Sequence, residues 1–384
     1  MRSRALFGLL LLGCGTRATP AETRHLAAMP HAQPAHPVVG VASADAGAGV
    51  GRSASAFVLK GGSIFGLGRQ NLLIDKGHVQ AVGVTADAAP HVVNVSGRYI
   101  VPGFIDCHVH LAYYPAADEL LASGIVAVLD LAAPLSALSV DHGRLRVLNA
   151  GPMITAKGGY PTTSWGAGGY GLEVDSAATG AAAVETLFAA GVQAIKVPLT
   201  APPTLDDATV KAVVSAAHAH GLKVFTHALE DANAARAAAD GIDVLAHTPT
   251  EALSAATLDA WKARTVIASL NAFGGGAAAV QNLHDLRERG TRVLYGTDFG
   301  NTRDTRIQDA EITLLIAAGL DGASIVKSGT STAAEFLGLT EYGTLDAGKR
   351  ASFLVLAADP SVDPHTLSQP VAVYVDGELV SAGL

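Results

Sequence analysis

Between Phe104 and Thr297, short apolar runs rich in Val, Ile and Leu alternate with longer segments of helical period, and this alternation narrows the fold more than any other feature of the chain. Buried strands separated by helices lie parallel, each joined to the next by a right-handed crossover. The clearest unit is central. Ala194 to Leu199 reads as a strand; Thr204 then offers a helix cap with Asp207 three residues on, Val210, Val213, Val214 and Ala217 share one helical face, and Gly221 stops the helix. A strand at Val224 to Ala228 follows, and the same rhythm places strands at Val244 to Thr248, Val266 to Leu270 and Val293 to Thr297. Helices fall near Ala232 to Ala239, Ser254 to Arg264 and Ala277 to Arg289. Upstream runs at Phe104 to His110, Ile125 to Leu131 and Leu145 to Asn149 bring the strands to eight. The expectation is an α/β chain built on a (β/α)8 TIM barrel over residues 102–342. Hydrophobic residues at 49% and charged ones at 16% supply the apolar material for so large a core.

The flanks read differently. Phe57 to Phe65, Asn71 to Val82 and Val92 to Val101 are β-like runs punctuated by Gly61-Gly62, Lys76-Gly77 and Ser96-Gly97. Ser352 to Ala357 and Val371 to Val375, with an Asp376-Gly377 hairpin signal behind the second, mirror them from the other end. A small β-sandwich built from both termini, residues 56–101 and 343–384, is expected. Residues 21–55, mostly Ala, Gly, Pro, His and Thr, carry too little apolar periodicity to fold and read as a flexible linker. In residues 1–20, Arg2 and Arg4 precede the apolar run Ala5 to Leu12, which is too short to span a bilayer and reads as a signal peptide. Its Leu11-Leu12-Gly13-Cys14 resembles the bacterial lipobox, which would put a lipid on Cys14; the alternative is an ordinary secretory signal cut after Ala18 or Ala21. Either makes the protein exported, periplasmic or membrane-anchored, with that lipid its one membrane contact. Two cysteines, Cys14 and Cys107, provide no disulfide framework. A formal charge of −8 without a basic block argues against nucleic acid and for a small-molecule substrate.

In a barrel of this kind the chemistry gathers at the C-terminal ends of the strands. His108 and His110 close the first strand, and residues two apart on a strand share a face, so both imidazoles can reach one metal. His218 and His220 have the same spacing on a helix, where it sets them about 200° apart, so they read as solvated helix-end residues. Lys196 stands inside an apolar strand, where an ammonium is costly unless it is paired or modified. Neutral, it can add CO2 to give a carbamate whose oxygens bridge two cations; an unmodified lysine salt-bridged within the barrel reads the same way. His227, His247 and Asp298 end three further strands. Asp106, one step from His108, points away from the metal by alternation and reads as structural or supporting.

Four histidines, a lysine and an aspartate at the ends of strands 1, 4, 5, 6 and 8 resemble the amidohydrolase superfamily, in particular its binuclear branch with a carboxylated lysine, related to Xaa-Pro dipeptidases and imidazolonepropionases. The resemblance runs from about Phe57 to Val380 and includes Gly343-Thr344-Leu345-Asp346-Ala347-Gly348-Lys349. It implies two divalent ions, zinc by ligand type: His108, His110 and Asp298 on the first, His227 and His247 on the second, and a CO2-derived carbamate on Lys196 between them. It further implies hydrolysis of an amide or peptide-like C–N bond by a hydroxide shared between the ions, with Asp298 as proton shuttle. A mononuclear deaminase of the same fold is the alternative, because Glu230 follows His227 as a substrate-protonating glutamate does; a non-catalytic binding protein on this scaffold would lack a ligand, and none is missing. Substrate contacts are expected from Tyr160 and Trp165 in the segment after the third strand, with Lys157 or Arg303 meeting a carboxylate.

Overall fold

A computed structural model describes residues 55–383, which lie in one compact unit. The signal peptide, Cys14 and nearly all of the linker lie outside the described residues. Eight parallel strands form the frame: β1 (Phe104–Val109), β2 (Ile125–Asp130), β3 (Arg146–Asn149), β4 (Ala194–Pro198), β5 (Lys223–His227), β6 (Val244–Leu245), β7 (Thr265–Ile267) and β8 (Arg292–Leu294). Two parallel ladders hold them, β1-β2-β3 and β4-β5-β6-β7-β8. A few hydrogen bonds, rather than a ladder, join the two sheets at both seams. Gln193 N donates to Asn149 O (2.8 Å) between β3 and β4, and Cys107 N donates to Tyr295 O (3.0 Å) between β1 and the end of β8. The arrangement is TIM-barrel-like.

Strand alternation sorts the side chains into two cores. Ile105, Cys107, Ala127, Leu129, Ala194, Phe225, Val244, Ala246, Ile267 and Leu294 pack together inside, whereas Val126, Val128, Ile195, Val197, Val224, Leu245 and Val266 pack outward among the helices. Helix Ser331–Leu337 covers the end where the strands begin. Its Phe336 meets Phe225 edge-on at 6.4 Å and lies beneath the cations of Lys223 and Arg292, the first residues of β5 and β8. Outside, helix Asp207–Ala219 buries Val210, Val213, Val214 and Ala217, the face its spacing predicts. Each valine so covered contributes about 1.5–3 kcal/mol over an exposed one.

Several local expectations need correction. Asp206, not Thr204, caps helix Asp207–Ala219, its Oδ1 accepting from Thr209 N at 2.8 Å. Helix Ala255–Ala260 is shorter than expected, although Ser254 caps it. The segment after β3 carries a strand pair that the sequence did not show, Met153–Ala156 parallel to Gly171–Val174. At the chain ends, four strands from residues 57–94 form one sheet. A second, six-stranded sheet joins Ser63–Ile64, Gly68–Arg69 and Tyr99–Pro102 to Phe353–Leu356, Ala372–Val375 and Glu378–Ala382. Phe57, Leu59, Ile74, Ile100, Phe353 and Val355 share one buried cluster between these sheets. Asp376 (φ 50°) and Gly377 (φ 76°) make the expected hairpin turn.

Candidate metal centre

Three of the expected ligands converge at the rim. His108 and His110, at the end of β1 and just beyond it, aim Nε2 atoms at Asp298 Oδ1, 3.5 and 3.1 Å away. Asp298 stands four residues past Leu294, the last residue of β8, with φ 53°, a left-handed backbone that aspartate tolerates better than most residues. Asp106 holds the two segments together. Its Oδ1 accepts from His108 N (3.0 Å) and Thr297 N (3.1 Å), and its Oδ2 from the Thr297 hydroxyl. Burial raises this carboxyl to about 7 against those hydrogen bonds. Close approach is also built in at Gly296, where a Cβ would lie 2.4 Å from Ile267 Cγ2 and 3.2 Å from His108 N.

A second pair faces the first. His227 ends β5, His247 lies two residues past β6, and His227 Nδ1 is 3.0 Å from His247 Nε2. The His247 ring lies 4.5 Å from that of His108, so the two pairs adjoin. Lys196, on β4 and 1% exposed, has an Nζ without a hydrogen-bond partner. Burial brings it down to about 7, partly offset by Asp298. Burial likewise depresses His227 to about 3, with the Lys196 charge adding to it, and holds His108 and His247 well below the usual imidazole range. For Asp298 burial acts upward, but His108, His110 and Lys196 outweigh it and bring the carboxyl to about 2.

Metal ions fit this donor set. His108 Nδ1 lies 2.8 Å from the Ala246 carbonyl, which can only accept, so the proton sits on Nδ1 and Nε2 keeps a free lone pair; that Nε2 is buried and unpartnered. His110 Nδ1 and His247 Nδ1 are also buried without partners. Two N or O donors on one tetrahedral ion stand about 3.3 Å apart, close to the 3.5 and 3.1 Å between the imidazole nitrogens and Asp298 Oδ1 in the first group and the 3.0 Å between nitrogens in the second. Among the described residues, His108, His110 and Asp298 form a cluster able to hold an ion.

Above the histidines lies an aromatic wall. Trp165 is 5.0 Å from His110 and Tyr160 5.3 Å from His227, while Trp165 Nε1 donates to the Tyr160 hydroxyl at 2.8 Å. Phe273, which the sequence reading passed over, sits 4.7 Å from His247; its place just past β7 was the available signal. Arg303 stacks on Tyr114 (4.3 Å) and Tyr113 (5.7 Å), and Tyr113 in turn meets Trp165. Lys157 is exposed. His218 and His220 pair with separate carboxylates, Asp243 and Glu185, each at 2.9 Å.

Residues 99–380 match the Amidohydrolase family. The chain belongs to that family. It is a metal-dependent hydrolase acting on carbon–nitrogen bonds. Imidazolonepropionase of Deinococcus radiodurans is 28% identical, over 74% of this chain and 84% of that protein. Adenine deaminase of Deinococcus deserti is also 28% identical over 74% of this chain, but the match spans only 53% of the deaminase. A solved Xaa-Pro dipeptidase with methionine bound in its active site shares the fold with a TM-score of 0.73 at 19% identity, covering 85% of this chain and 99% of that one.

Proposed function

We propose that this amidohydrolase binds two divalent ions, zinc by donor type, and hydrolyses an amide or peptide-like bond of a small substrate. The carrying observation is the pairing of two convergent donor groups, His108/His110/Asp298 and His227/His247, with the unpartnered Nζ of Lys196 within electrostatic reach of both. Lys196 is buried, and its depressed basicity favours the neutral amine that adds CO2, so a carbamate on Lys196 is the bridge in this reading. Bound ions would supply Lewis acidity and a water acidic enough to attack near neutral pH. The Asp298 carboxylate then takes the attacking water's proton on Oδ2, the oxygen not turned to His108 and His110, and returns it to the leaving nitrogen. Tyr160 and Trp165 exclude water and bear on an apolar or aromatic group beside the bond; Arg303 is the better placed partner for a substrate carboxylate, and Lys157 the weaker one.

The kinship with adenine deaminases keeps deamination as a second reading. Glu230, its proton donor, is exposed and accepts from Asn233 Nδ2 at 2.7 Å, which counts against it. Metal analysis followed by assays on dipeptides, N-acyl amino acids and adenine decides between them. Two ions and amide hydrolysis are expected; one ion with ammonia released from adenine overturns the reading. The barrel over 102–342, the β-sandwich of 56–101 and 343–384, and the exported, lipid-anchored N-terminus complete the proposal. If Cys14 carries lipid, Cys14→Ser releases the protein from membranes.

A further inference from the structure

Five non-glycine residues among those described have a left-handed backbone. Lys76 and Asp376 precede glycines in hairpin turns, and Ala263 lies in the turn after helix Ala255–Ala260. The other two are Asp298, at the metal centre, and Ser269 (φ 44°). Ser269 lies two residues past Ile267, the last residue of β7. The β7–β8 register pairs Ile267 with Leu294, so position 269 is level with Gly296, two residues before Asp298. On the other side Thr248 N donates to Ala268 O (3.1 Å), which sets Ser269 beside the residue that follows His247. Position 269 therefore falls between the segments that carry the two donor groups.

Ser269 is 1% exposed and its hydroxyl has no hydrogen-bond partner. The chain just beyond is clamped, because the buried Glu311 carboxylate accepts from Leu270 N (3.0 Å) and Asn271 N (2.7 Å). A serine here carries two costs, an unfavourable backbone and an unmet hydroxyl; alanine would shed the second, glycine both. Neither cost has a structural return within the described residues. We infer that the Ser269 hydroxyl contacts the substrate, donating a hydrogen bond that orients the bond to be hydrolysed. This rests on the hydrolase reading above.

The test compares full-length, metal-loaded wild type, Ser269→Ala and Ser269→Gly by thermal midpoint, metal content and kcat/KM on the best substrate found. Loss of one polar contact at the reacting centre predicts a fall in kcat/KM of about 10²-fold in both variants. Metal content should stay at the wild-type level. The midpoint should hold or rise in Ser269→Ala and rise further in Ser269→Gly. Wild-type kcat/KM in Ser269→Ala overturns the assignment, as does a loss of metal, which would make the residue a support for the ions. A wild type inactive on every C–N substrate sinks the functional reading instead. The thermal measurement still stands in that case: a lower midpoint for Ser269→Ala reveals a structural partner for the hydroxyl and overturns the inference.

Discussion

The two ends of the same eight strands are built on opposite rules. Toward the end where the strands begin, Ile105, Ala194, Phe225 and Val244 fill the interior and Phe336 seals it against Phe225. Where they end, within a few residues, stand buried imidazoles, a buried lysine and a buried aspartate, several of whose polar atoms meet nothing. Buried unpartnered polar groups cost stability, so their concentration at one end marks the place where this fold gives up stability for binding. The apolar end supplies what the polar end spends.

If that division is right, substitutions at the two ends separate activity from stability. Lys196→Ala should show the largest effect, turnover near background and about one ion per chain, read by metal analysis and assay. Full activity with one ion would dissolve the contrast at the rim. Asp298→Asn should follow, lowering kcat by about 10² to 10⁴-fold with little change in Tm, because an amide fills the space and tolerates the left-handed backbone but cannot shuttle a proton. At the other end Phe225→Ala should cost about 3–5 kcal/mol in denaturant unfolding while the folded fraction keeps its KM. The smallest effect concerns pH. Lys196 titrates at about 7 when folded and at 10.5 ordinarily, so between those values the folded, metal-free chain binds fewer protons than the unfolded one. Chelated protein should therefore gain stability as pH rises from about 7 toward about 10, and Lys196→Met should flatten the rise. A Tm that falls over this range in wild type would place the lysine in a solvated or paired setting.

Much of this contrast is legible in the residue order. Alternating apolar residues mark the strands, and a histidine or lysine that breaks the pattern at a strand end has few reasons to be there, which is why His108, His110, Lys196 and His227 stand out. Asp298 and His247 are harder, because both lie past the last ladder residues, where the chain has left the regular strand. Ser269 could not be found at all: a serine is ordinary in sequence, and only its φ and its unmet hydroxyl distinguish it. Thr204 and Asp206 are equally good caps on paper, and the choice depends on where the chain turns after Pro202-Pro203. The pairing of Met153–Ala156 with Gly171–Val174 joins stretches separated by a glycine-rich segment, across which no local period carries information.

The seam between Cys107 and Tyr295 has a consequence in time. His108 and His110 belong to the first strand of the ring and Asp298 follows the last, so a chain emerging from the ribosome holds an incomplete donor set until almost the whole barrel has been made. Metal capture at this candidate site would thus be a late event in the life of each molecule, and an ion held by His108, His110 and Asp298 would act as a rivet across the closing seam.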